Sequence, residues 1–90
     1  MGWLHPDLFE PLSKRCRSRI KLYGGTAKQQ RRNFLPVPLG SVGLVRQRIT
    51  VGDTGTEYFL CVFWIDGRRL WVRCAVDTVE LIPHPRELQR

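Results

Sequence analysis

Residues 58–74 read YFLCVFWIDGRRLWVRC, and the rest of the chain is best placed from there. Tyr58 to Ile65 carry no charge, Asp66-Gly67 follows, and then apolar residues alternate with arginines. Asp-Gly between two such runs predicts a β-hairpin, because a type I′ turn needs positive φ at both central residues. A two-residue turn also fixes the register. Ile65 then faces Arg68, Trp64 faces Arg69, Phe63 faces Leu70, Val62 faces Trp71, Cys61 faces Val72, Leu60 faces Arg73 and Phe59 faces Cys74. Side chains alternate between the faces of a strand. One face therefore holds Phe59, Cys61, Phe63, Leu70, Val72 and Cys74, all apolar, and is the predicted core. The other holds Tyr58, Leu60, Val62, Trp64, Arg69, Trp71 and Arg73. A slip of one residue would mix the two sets.

Working outward, VGLVRQRITV (42–51) keeps the period of two and predicts a strand ahead of the loop GDTGT (52–56). FLPVPLGSVG (34–43) is extended, since its prolines and the residues before them disfavour helix. After the hairpin, VDTVE is a tight turn, Leu81-Ile82 a short last strand and PHPRELQR (83–90) a tail. Upstream the reading changes. Pro11 can open a helix and Gly24-Gly25 can close one. At helical spacing Leu12, Cys16, Ile20 and Tyr23 share a face, Lys14, Arg17 and Lys21 lie opposite, and Arg19 interrupts the stripe. GGTAKQQRRN (24–33) reads as a linker. The expected organisation is a basic N-terminal helix and linker over 1–33, a β-domain over 34–82 and a tail over 83–90.

PLGSVGLV (38–45), followed by YFLCVFWIDGRRLWVRCAVDTVELI (58–82), resembles the SH3-like small barrels. In those a Gly-containing loop opens a strand, a central hairpin follows, and a single 3₁₀ turn leads to a short closing strand. The resemblance covers about half the chain and implies a turn at Val76-Asp77-Thr78 and a closing strand at Glu80-Leu81-Ile82. The acidic, tyrosine-rich peptide-binding motif of signalling SH3 domains is missing. The expected fold class is thus mainly β, an SH3-like small barrel with an N-terminal α-helix. The resemblance implies a binding module more often than an enzyme; fold does not choose the ligand.

Ninety residues make one small domain, and a hydrophobic share of 42% is too high for a disordered chain. The longest uncharged run, Phe34 to Val45, is broken by prolines and glycines and is short of the roughly 20 apolar residues that span a bilayer. MGWLHPDLFEPL has no apolar core of a signal peptide, so a cytoplasmic location without membrane attachment is expected. The net charge of +7 is uneven. Residues 1–33 hold eight Lys/Arg against two Asp/Glu, whereas residues 34–82 hold five against five. Such a split suits a polyanion partner.

Cys16, Cys61 and Cys74 are odd in number and lack the paired spacing of a zinc site or a disulfide framework. His5 and His84 stand apart, no serine sits in a nucleophile elbow, and GDTGT lacks the Lys-Ser/Thr of a phosphate loop. No catalytic residue, metal site or cofactor is identified, and a non-enzymatic role is expected. Two binding readings follow. In the first, Lys14, Arg15, Arg17, Lys21, Lys28, Arg31 and Arg32 contact nucleic acid, with Trp64, Arg69, Trp71 and Arg73 as an aromatic-basic face; rings stack on bases and arginines meet phosphates. In the second, that face meets a protein partner or a second copy of the chain, since Trp and Arg dominate interface hot spots. A third arrangement has the N-terminal helix fold back over the face.

Overall fold

The structure is a computed structural model that describes residues 5–26 and 34–83. Among the described residues seven strands form in chain order: β1 (Leu8–Ser18), β2 (Leu22–Gly24), β3 (Leu35–Val37), β4 (Val42–Thr50), β5 (Glu57–Ile65), β6 (Arg68–Ala75) and β7 (Val79–Ile82), with a 3₁₀ turn at Val76–Thr78. β6-β5-β4-β1-β7 make one antiparallel sheet, and β2-β3 make a two-stranded ribbon.

The hairpin forms in the expected register, from Ile65↔Arg68 through Phe59↔Cys74. Asp66 and Gly67 have φ of 51° and 74°, the left-handed pair that a type I′ turn requires. All six residues of the predicted core face are buried. Cys16, Val45 and Val79 join them from the same sheet, and Leu22 and Val37 from the ribbon. The domain is therefore two β-layers closed on one apolar core. Two glycines leave room for core side chains, Gly43 within the sheet and Gly24 between the ribbon and the sheet. A Cβ on Gly43 would meet the Phe63 ring at 2.6 Å, and one on Gly24 would meet Val72 Cγ2 at 2.8 Å. Phe63, the largest fully buried side chain, occupies the room that Gly43 leaves.

The N-terminal helix is not present. Leu8–Ser18 is a strand, seated between β4 and β7. The helical stripe is not a face: Cys16 is buried, but Ile20 is 48% and Tyr23 55% exposed. What the strand buries is every second residue, Cys16 and Ser18, while Arg15 and Arg17 point the other way. Pro11 fits because β7 pairs only with Arg15–Ser18, so β1 is an edge at Pro11, and its register with β4 shifts just beyond, between Pro11 and Lys14. Edges and bulges are where a strand tolerates proline. Local helix signals are weak against two waiting strand partners.

The 3₁₀ turn at Val76–Thr78 and the strand after it lie where the sequence places them. A closed barrel does not form. Among the described residues, β6 and β7 are the two edges of the sheet and do not pair with each other. Beyond β6 an isolated bridge, Gly25↔Trp71, has N–H···O bonds of 2.8 and 3.0 Å in both directions. Among the described residues no helix is long and apolar enough to cross a membrane.

Candidate functional site

Paired residues in neighbouring strands share a face, so the register maps the sheet surface opposite the core. One row runs Trp71, Val62, Leu44, Arg15 and Ile82 across β6, β5, β4, β1 and β7. Beside it lie the pairs Arg69↔Trp64 and, two strands along, Val42↔Arg17↔Glu80. On the other side come Arg73, Leu60 and Gln47, and then Tyr58, Ile49 and Phe9. Val62 and Ile49 are buried yet stand outside the core cluster, as expected for positions flanked on this second face.

The face is open where its chemistry lies. Trp64 is 54% exposed, Trp71 half-buried, and Arg15, Arg17, Arg69 and Arg73 exposed. Among the described residues no helix covers it, which overturns the fold-back arrangement. The Arg69 guanidinium lies over the Trp71 ring at 5.9 Å, and that of Arg73 over Tyr58 at 5.1 Å. Arginines held over rings keep their charge near the aromatic surface. Arg17 meets Glu80 at 3.3 Å with both side chains about half exposed, a contact of little strength that a phosphate can displace. Among the described residues that the strand register assigns to it, the face thus carries Arg15, Arg17, Arg69 and Arg73 against one carboxylate, Glu80.

The residues predicted from sequence fall into three groups. Arg15 and Arg17 join Trp64, Arg69, Trp71 and Arg73 on one surface. Lys14 pairs with Val45 and so belongs to the core-facing set, though it is exposed at the edge. Lys21 lies beside β2, its ammonium 5.5 Å from the Tyr23 ring, away from this face. Lys28, Arg31 and Arg32 lie outside the described residues. Val42 and Leu44 extend the apolar part of the surface; their alternation with Gly43 and Val45 was the available signal. Among the described residues, no group of three or more His, Cys, Asp and Glu side chains is placed to hold a metal ion.

Compared with known proteins, the chain matches no family model, no curated protein and no solved structure.

Proposed function

We propose that the chain is a small non-catalytic module that binds nucleic acid through the outer face of its five-stranded sheet. One observation carries this reading: β1 sets Arg15 and Arg17 on the same surface as Trp64, Trp71, Arg69 and Arg73. Arginines offer forked donors to phosphates, and exposed rings beside them offer stacking surfaces to bases. The excess of positive charge on that surface complements a polyanion.

The test is binding of labelled DNA and RNA oligonucleotides over a range of salt. Log affinity should fall linearly with log salt, each phosphate contact adding about 0.7–0.9 to the slope. Arg15→Ala combined with Arg17→Ala should make the slope shallower by about 1.4–1.8, one increment for each arginine removed. Absence of any salt-dependent binding at low ionic strength overturns the reading. A protein-partner reading draws on a different observation, the exposure of apolar Trp64 (54%) and Val42 (42%) side by side with arginines. Light scattering that shows a dimer, abolished by Trp64→Ala, would favour it.

A further inference from the structure

We infer that the ligand is single-stranded, with unpaired bases stacked on Trp64 and then Trp71 while its phosphates track across the sheet toward Arg17 and Arg15. This rests on the nucleic-acid reading above and narrows it to one class of polynucleotide. Three features of the face lead there.

The first is where the rings sit. Trp64 and Trp71 are on neighbouring strands, not on a loop tip, and occupy diagonal positions of the β5–β6 ladder. Diagonal neighbours on one face are about 7–8 Å apart. The base faces of a duplex are already stacked on each other, so rings carried on a sheet face find no base surface there to stack on. They can serve only bases that are unpaired.

The second is where the charges sit relative to the rings. Arg17 lies two strands from Trp64 and Arg15 three strands from Trp71. At 4.7–4.9 Å per strand spacing these offsets are about 10 and 14 Å. Both lead in the same direction, from β5–β6 to β1, over the apolar surface of Val42 and Leu44. A strand that lays its bases on the rings therefore finds cations along one continuing path, across the β-strands. The charge balance, four arginines to one carboxylate, complements that path and no neutral partner needs it.

The third sets an order. Trp64 is 54% exposed, and among the described residues no cation lies over its ring. Arg69 lies over Trp71 and has to move aside before a base reaches that ring. Trp64 takes the first base.

The experiment compares oligouridylate, oligothymidylate and a blunt duplex of equal length by anisotropy of a labelled strand, with Trp64→Leu and Trp64→Phe beside the unaltered protein. Single strands should bind at least about tenfold more tightly than the duplex. Stacking at 1–3 kcal/mol per base converts to a loss of about 5- to 150-fold for Trp64→Leu. The salt slope should not change, because a ring carries no charge, and Trp64→Phe should keep most of the affinity. A urea midpoint near that of the unaltered protein shows that Trp64→Leu remains folded. Preference for the ribose or the deoxyribose strand supports the inference equally, since the stacked surface is the base. Equal affinity for duplex and single strand, with Trp64→Leu silent and the salt slope intact, overturns the inference but leaves the nucleic-acid reading standing. No salt-dependent binding to any of the three overturns both.

Discussion

Cys61 and Cys74 show how little sequence spacing says about a residue's chemistry. They are thirteen positions apart, yet the diagonal of the hairpin brings their sulfurs to 3.9 Å inside the core. Cys16 lies in the same buried cluster. The hydrogen bond from Cys61 favours a Cys74 thiolate and draws its pKa from an ordinary 9.0 to about 7, against the effect of burial. Cys61, hydrogen-bonded to Cys16 and Cys74 and itself buried, is pushed well up. The two shifts act on stability with opposite sign. A depressed folded pKa adds stability that is complete above the unfolded value and is lost as pH falls through the folded one. A raised folded pKa adds stability that is complete below the unfolded value and is lost as pH rises above it. The urea midpoint should therefore climb between pH 7 and 9 and turn down above 9. Cys74→Ala should flatten the climb, and Cys61→Ala should return the Cys74 titration toward its ordinary range. A first thiolate seen in the ultraviolet only near pH 9 would remove the basis for this shape.

At the scale of elements, β1 matters most, and one hydroxyl fixes its end. Ser18 is the buried polar residue among the described ones; its Oγ donates to the Pro38 carbonyl at 2.9 Å and accepts from Ser41 N–H at 3.0 Å. The Ser18 backbone donates to Ser41 O and accepts from Gly40 N–H, both at 2.9 Å. The end of β1 is thus tied to the loop between β3 and β4. Ser18→Ala removes both bonds of the hydroxyl, but the Pro38 carbonyl and the Ser41 N–H still bond each other at 3.1 Å, so the loss should be about 0.5–1.5 kcal/mol in a urea titration, with no effect on the proposed nucleic-acid binding at temperatures where the protein is folded. Such a tie cannot be read from PLSKRCRSR, and that is where the sequence misleads. The β5–β6 hairpin was legible because its turn and its alternation agree, so register, core face and the Trp/Arg surface all follow from local residues. β1 was not, because its inward residues are Cys16 and Ser18 and its flanks are prolines and glycines, which mark a helix as well as a strand. Its strand state comes from pairing with β4 and β7, residues distant in the chain. The arginines were found, but their meeting with Trp64 and Trp71 follows only from that pairing. The shifts at Pro11/Lys14 and Val45/Gln47 have the same origin, and they decide which residues of β1 and β4 face out.

For the whole molecule, the position of β1 makes residues 8–25 part of the fold and not an attachment to it. β1 is next to the edge of the sheet, and β7 has β1 as its strand partner among the described residues. Without β1, β7 has nothing to pair with and β4 becomes an exposed edge along most of its length. The core loses Cys16 and Leu22, and the ribbon loses β2, leaving β3 unpaired. The remaining chain would keep β4-β5-β6, a three-stranded sheet with one apolar face bared to water, which is near the lower limit for independent stability. Small domains have no surplus of buried surface to lose. A chain that begins at Phe34 should therefore fail to fold, giving collapsed amide dispersion in a heteronuclear spectrum and no cooperative urea transition. Supplying residues 5–26 as a separate peptide should restore dispersion, since strand pairing needs no covalent link between β1 and β4. A basic helix attached to a self-sufficient barrel makes the opposite forecast: residues 34–83 would fold alone, with a sharp transition and the peptide without effect. That outcome would dissolve the outer face as described, because Arg15 and Arg17 reach Trp64 and Trp71 only through β1.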